Sequence, residues 1–546
     1  MCRGLHFHGL AEAAIQMRLG PTGLIEVVSP FDAVTQAQLR ALRPSGRWLQ
    51  GRGCWEFPLE AAAALENQLA GRFPITDELA QWLLWLHQPL PPLPPHRQLV
   101  QAAGLEDSLA DGRRLLGHQR LAVRWLLARR GAVLADAMGL GKTLTALVAA
   151  RAMVRLAECR LVVLAPVGLH LHWRQEAAAL GLRLELHSWA RIPAALPGAG
   201  TVLIVDEAHF AQSLRARRTQ AFLRLARHPR LRALWLLTGT PMKNGRPVQL
   251  FPLLAAIGHP LGRDQRAYEE RYCQGHWREQ GGRRLWQALG ASQLDELRQL
   301  VRPLVLHRTK AQCLDLPPKE RLHHDVDLGE RAADRFDAQL QAVVQAYRLR
   351  ASRGEVRRDA EALAVLTALR RLGSRAKERA TITLVAELLG RGESVVVFSA
   401  FVATAQRLQS GLASASPGGA ALLIGAVPPA RRQGLVDGFQ SGAQGLLVAT
   451  FGTGGLGFTL HRARHVVLVE RPWTPGDAEQ AEDRCHRLGM GASLSCHWMR
   501  LGATDRLVDD LIESKAERIN ALLRPSQEWQ RREAFPALVR QWLEDW

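Results

Sequence analysis

The sequence predicts an α/β chain: two parallel sheets flanked by helices, helical insertions, and a small α+β unit in front. Three observations lead there. Apolar strand-like runs alternate with helical stretches in two blocks of similar size, which is the order of a helix-wrapped parallel sheet. A run of five prolines, Gln88-Pro89-Leu90-Pro91-Pro92-Leu93-Pro94-Pro95, reads as a stiff spacer. At 546 residues the chain is too long for one core.

Residues 1–87 form the first unit, with Leu24–Val28 as a strand and a helix opening at Ser29-Pro30-Phe31-Asp32. Gly46–Leu49 and Trp55–Pro58 flank the turn Gly51-Arg52-Gly53, a hairpin signal. The linker occupies 88–97. The first sheet block covers 98–320, with strands expected at Ala132–Ala135, Leu161–Ala165, Thr201–Val205 and Ala233–Leu237. Residues 260–300 and 330–375 are polar and Arg-rich and read as helical insertions without strands. The second block, 321–525, has strands expected at Ser394–Phe398, Ala420–Ile424, Gly445–Ala449 and His465–Val469. Residues 526–546 read as a terminal helix.

Chemistry gathers at strand ends. Ala135-Asp136-Ala137-Met138-Gly139-Leu140-Gly141-Lys142-Thr143 lies between an apolar strand and a helix. Such a loop turns backbone N–H groups onto phosphates, and Lys142 and the Thr143 hydroxyl suit phosphate and Mg²⁺. The general phosphate-loop pattern asks for Gly where Asp136 stands, so a plain Gly-rich turn is the rival reading. Only six lysines occur among 71 Lys+Arg residues, so a Lys after this Gly points to a need for a compact ammonium. Asp206-Glu207-Ala208-His209 follows the strand Thr201–Val205; Asp206 suits a metal and Glu207 an attacking water, or the pair caps a polar helix start. Thr238-Gly239-Thr240-Pro241 ends the next strand, either as a relay beside the carboxylates or as a plain turn. Arg484 and Arg487, three apart on a helix, are either a solvated face or arginine fingers. The loop Thr450–Phe458, with Gly457 near its end, is a further Gly-rich turn, and Gln119 has the donor and acceptor an adenine edge requires.

The net charge of +20 and a pI near 10.8 suit a polyanion partner, although Arg-rich coding alone would also raise them. Seven cysteines without a Cys-x-x-Cys pair or zinc spacing exclude a disulfide framework and point to a reducing cytoplasm. No apolar run reaches the roughly 18 residues of a membrane span, and the N-terminus has no signal-peptide pattern. A soluble cytoplasmic monomer is expected.

Taken in order, these stretches resemble superfamily 2 helicase-like ATPases, specifically the Swi/Snf family, over about residues 112–525. The resemblance includes Leu306-His307-Arg308-Thr309-Lys310, Leu316-Pro317-Pro318-Lys319 and Trp473-Thr474-Pro475. It implies two RecA-like lobes, ATP and Mg²⁺ as cofactors, and DNA as partner. Gln119 would contact adenine; Gly139, Leu140, Gly141, Lys142, Thr143 and Gly457 would line the nucleotide; Thr143 and Asp206 would hold Mg²⁺; and Glu207 would serve the water. Arg484 and Arg487 would reach the γ-phosphate. Ala137 and Met490 depart from the commoner pattern. Thr459 and Glu470, replacing an Asn and an Asp, and Gly245-Arg246-Pro247 look like the annealing-helicase branch. Ser29–Asp32, Gly46-Arg47-Trp48 and Trp55–Leu59 resemble the HARP domain, with Arg43, Arg47 and Arg52 as phosphate-contact candidates. Two rivals remain at this stage: a motor that recycles RNA polymerase, and a DNA-binding scaffold with a dead nucleotide site. Replication or repair factors are further possible protein partners.

Overall fold

The computed structural model describes residues 16–505, except 21–24, 30–31, 43–44, 58–60, 70–73, 77–78, 81–95, 106–108, 110–111, 197–199, 229–230, 243–244, 281, 354–357, 417, 455–457, 473–474 and 503–504. Most of the Pro-rich linker, Arg43, Gly457, Trp473-Thr474 and the terminal helix lie outside the described residues.

The N-terminal unit is an antiparallel sheet in the order β1 (Gln16–Leu19), β2 (Ile25–Val28), β4 (Cys54–Phe57), β3 (Arg47–Leu49). The expected hairpin is β3–β4, with Trp48 opposite Trp55. Asp32 caps the helix Ala33–Ala41 by accepting from Thr35 N at 2.8 Å. From that helix Gln36 accepts the buried Trp55 indole N–H at 2.8 Å.

Lobe 1 contains β5 (Gly131–Leu134), β6 (Arg160–Leu164), β7 (Glu185–His187), β8 (Thr201–Val205) and β9 (Leu231–Leu237). After the insertion β10 (His276–Gln280) and β11 (Arg283–Gln287) comes β12 (Val305–Leu306). The sheet order is β12-β5-β9-β8-β6-β7, parallel throughout. The four apolar runs read from sequence are its centre, buried on both faces as parallel strands must be.

Lobe 2 contains β13 (Lys319–Asp325), β14 (Val395–Ser399), β15 (Ala420–Leu423), β16 (Leu446–Thr450), β17 (His465–Leu468) and β18 (Leu494–Arg500). Its order, β13-β18-β17-β14-β16-β15, is again all parallel. Two helix-flanked parallel sheets with these crossovers are two RecA-like lobes. Lys319 and Glu320 already pair with β18, so lobe 2 begins there, two residues before the expected boundary.

The insertion at 330–375 is helical as expected, in the helices Glu330–Ser352 and Arg358–Gly390. That at 260–300 is not wholly so. It begins and ends in helices, Gln265–Tyr272 and Leu294–Val301, but between them β10 and β11 form an antiparallel hairpin. The sequence pair Gly281-Gly282, between one run with Trp277 and another with Leu285 and Trp286, is the signal for it.

Candidate functional site

β5 delivers the chain into the phosphate loop, and the helix Lys142–Ala157 carries it away. Gly141 caps that helix at φ 76°, a left-handed conformation that favours glycine. A Cβ there would also lie 2.2 Å from Gln119 Nε2. Lys142 Nζ donates to Asp136 O at 2.7 Å and Ala137 O at 3.2 Å, curled into its own loop. Burial holds the Lys142 ammonium below its usual pKa, although Glu207, Asp136 and Asp206 pull the other way.

The departure at Asp136 now has a structural cause. Its carboxylate accepts from Arg308 Nε at 3.0 Å and a second Arg308 nitrogen at 2.5 Å. Arg308 also donates to His118 O at 2.8 Å, and its own carbonyl accepts from Ala137 N at 2.9 Å. Asp136 is not among the residues lining the cleft and braces the loop against the strand-end segment at 305–308. Removing one partner of so buried a pair costs roughly 3–5 kcal/mol.

At the end of β8, Asp206 accepts the Trp173 indole N–H at 2.9 Å and the Glu207 backbone N–H at 2.8 Å. Burial and the Glu207 charge push Asp206 up to about 6. Burial pushes Glu207 up as well, but His209, Lys142 and Arg484 outweigh it and leave Glu207 below the usual carboxylate value. The His209 ring nitrogen is 3.1 Å from Glu207 Oε2. Glu207 itself sits at φ 48°, a strained position for a non-glycine residue. Thr238–Pro241 does lie beside the carboxylates: Gln212, just beyond them, donates to Thr240 O at 3.2 Å and Pro241 O at 3.0 Å.

Lobe 2 contributes the helix Pro475–Cys485 and the turn after it. Arg484 and Arg487 face lobe 1 and line one cleft of about 460 Å³ together with Gln119, Lys142, Thr143, Asp206 and Glu207. Burial and Arg487 push Arg484 down to about 9, and burial lowers Arg487. Arg487 donates to Thr459 Oγ1 at 2.9 Å, so the Thr that departs from the common Asn still holds the finger. Glu470, the other departure, is buried and accepts from Ser399 Oγ at 3.1 Å, Ala400 N at 2.8 Å and Ser374 Oγ.

The structure thus brings Gln119, Gly139, Gly141, Lys142, Thr143, Asp206, Glu207, Arg484 and Arg487 to one cleft, with Leu140 buried behind it. Gln119 binds the loop itself, accepting from Leu116 N at 3.0 Å and donating to Leu140 O at 3.2 Å, which leaves one amide hydrogen for a base. Arg47 and Arg52 are half exposed but already paired, with Glu56 at 2.8 Å and Glu26 at 2.6 Å. Sequence reasoning assigned no role to Trp173 or to Lys310. Lys310 Nζ, from lobe 1, donates to His486 O at 2.5 Å and lies 2.9 Å from Asp483 Oδ1 in lobe 2.

Two family models match in succession: the SNF2-related domain at residues 196–377, from β8 onward, and the helicase conserved C-terminal domain at residues 377–489. The chain belongs to the Swi/Snf family. Among relatives of this Swi/Snf chain, the DNA annealing helicase and endonuclease ZRANB3 of Mus musculus is 30% identical over 74% of this chain and 40% of its own length. The SWI/SNF-related matrix-associated actin-dependent regulator of chromatin subfamily A-like protein 1 of Xenopus tropicalis is 27% identical over 74% of this chain and 44% of its own. The chain therefore spans less than half the length of these relatives. They are similar to it in the branch that Thr459, Glu470 and Gly245-Arg246-Pro247 resemble. The solved SWI2/SNF2 ATPase core of Sulfolobus solfataricus in complex with dsDNA matches at 18% identity over 77% of this chain and 99% of that one, with a TM-score of 0.34. The lobes stand on their strand orders, not on that superposition.

Proposed function

We propose that this chain is an ATP-driven motor that moves on duplex or forked DNA and remodels or reanneals it. The observation that carries this reading is the presence of Arg484 and Arg487, from lobe 2, in the cleft built by Lys142, Asp206 and Glu207 of lobe 1. A site made from two lobes lets nucleotide state set their separation, and separation is what a motor needs.

Thr143 and Asp206 fit Mg²⁺: a hydroxyl and a buried carboxylate line one cleft, and burial, with the adjacent Glu207 charge, raises the Asp206 pKa, a penalty on its ionised form that a bound cation would relieve. When bound, the ion polarises phosphate oxygens and neutralises their charge. Lys142 exchanges the carbonyls of Asp136 and Ala137 for phosphate oxygens. Glu207, kept ionised, orients the attacking water and takes its proton. Arg484 and Arg487 offset charge on the γ-phosphoryl oxygens in the transition state, an effect worth roughly 10³–10⁵ in rate.

Support for DNA as partner comes from a second, open groove of about 910 Å³ at the same sheet edge of lobe 1. Trp189, Arg191, Phe210, Arg217 and Arg218 line it, and the three arginines are exposed. Trp189 donates from its indole to the Asp206 backbone carbonyl at 3.0 Å, which ties the groove wall to the backbone at the nucleotide cleft. The net charge of +20 agrees with a polyanion partner. The HARP-like unit, with Arg47 and Arg52 half exposed, would help the motor engage branched DNA.

ATPase assays with duplex, fork, single-strand and RNA ligands test the reading. The expected result is low basal turnover, strong stimulation by duplex or fork DNA, and loss of both in Lys142→Ala. Equal rates in wild type and Lys142→Ala would leave the dead-site scaffold standing. Copurifying polymerase with weak stimulation by free DNA would favour the polymerase-recycling motor.

A further inference from the structure

The hairpin β10–β11 plays no part in the nucleotide cleft. Among the described residues its strands pair only with each other. Two-stranded ribbons are marginal in water, so something must hold this one. The anchor is Trp286, half-buried, whose indole donates to Glu269 Oε2 at 2.5 Å on the helix Gln265–Tyr272. From the same helix the Arg266 guanidinium lies 3.0 Å from the Trp286 ring centroid and 4.9 Å from that of Trp277. The two indoles meet edge to face at 5.6 Å. These contacts anchor the ribbon to the helix Gln265–Tyr272.

Trp277, directly opposite Trp286, is nevertheless 52% exposed. Burying such a ring would be favourable, and the fold leaves it out. On its face stand Arg266, paired with Glu270 at 2.7 Å, and Arg284, opposite Glu279. Leu285, the other large exposed apolar side chain of the hairpin, pairs with Arg278 and so lies on the opposite face from Trp277. The ribbon thus has no continuous apolar patch of the size a protein partner needs. A single flat ring among guanidinium groups suits a nucleobase face with its phosphates nearby. Paired bases hide their faces in the stack, so only unpaired nucleotides can use such a platform.

We propose that β10–β11 is a docking ribbon for unpaired nucleotides beside the motor, with Trp277 as the stacking platform and Arg284 as a phosphate contact on the same face. The inference rests on the reading of the chain as a DNA motor.

The test uses the full chain and two fluorescein-labelled probes, a blunt duplex and a fork with the same duplex and unpaired dT arms. Affinity by anisotropy and stimulated ATPase are measured for wild type, Trp277→Ala and Trp277→Phe. Loss of one stacked base costs roughly 5- to 150-fold in affinity. Trp277→Ala should weaken fork binding within that range, leave duplex binding and duplex-stimulated ATPase unchanged, and be largely restored in Trp277→Phe. Unchanged fork affinity in Trp277→Ala would overturn the inference and leave the ribbon to a protein partner. Equal loss on duplex and fork, or no rescue by Phe, would also overturn it. Failure of the motor reading looks different: no DNA would stimulate wild type.

Discussion

Asp206 can hold a metal ion only when its proton has left, and its surroundings delay that departure. A carboxyl at about 6 keeps its proton in the folded protein through a pH range where the unfolded chain, near 3.8, has lost it. Its contribution to stability is thus full below the unfolded value and is lost as pH rises through about 6. Metal binding runs the opposite way, because Mg²⁺ must displace the proton. Nucleotide affinity in the presence of Mg²⁺ should therefore weaken as pH falls below about 6, and Asp206→Asn should be weak and nearly flat. Titration of a fluorescent ATP analogue between about pH 5 and pH 8 checks this, and a flat wild-type profile would refute it.

At the scale of elements, the helix Pro475–Cys485 must be held both within its lobe and across the cleft. Within lobe 2, buried Glu482 pairs with Lys319 at 3.0 Å and Arg321 at 2.7 Å of β13 and accepts the Trp498 indole N–H at 2.9 Å. Across the cleft, Lys310 holds Asp483 and His486 O, the residues that flank Arg484. Burial lowers the Lys310 pKa to about 8 against the pull of Asp483, so the ammonium stays charged at neutral pH. Lys310→Met should lower kcat about ten- to a hundredfold by misplacing the arginines, with little effect on ATP affinity. Equal losses in kcat and in binding would instead assign Lys310 to ground-state nucleotide contact.

The elements legible in the sequence were those whose burial is two-sided. β5, β6, β8 and β9 are unbroken apolar runs because both faces are covered. The short edge strands β7 and β12, of three and two residues, leave no period to read. β13 is an edge strand of alternating exposure, Lys319 to Asp325, and reads as a polar loop. In the hairpin, Arg-rich composition obscured the Gly-Gly pair. The cleft was legible because its residues sit at strand ends in motifs. Arg308 was not assigned a role because its meaning depends on Asp136, 172 residues away.

At the scale of the whole molecule, the Pro-rich stretch suggested a first unit standing apart on a spacer, whereas the apolar packing joins it to lobe 1. One cluster of buried side chains runs from Met17, Val27, Leu39 and Phe57 into Tyr268, Tyr272, Leu297 and Leu300. Charges meet across the same boundary: burial pushes the Glu296 carboxyl up, Arg271 and Tyr272 hold it below its usual value, and Arg47 of the small sheet adds a smaller pull in the same direction. The Arg271–Glu296 ion pair lies on the helices that flank the β10–β11 hairpin. The small sheet is thus coupled to lobe 1 through both apolar packing and charge. It should melt with lobe 1 in one cooperative transition, and removal of residues 1–97 should lower the lobe 1 melting temperature by several degrees, since loss of about 1 kcal/mol moves a domain of this size by roughly 2–4 °C. Calorimetry on the full chain and the truncated chain decides it. An early, separate transition for the first unit, with lobe 1 melting unchanged in the truncation, would show a domain that rides on the linker instead.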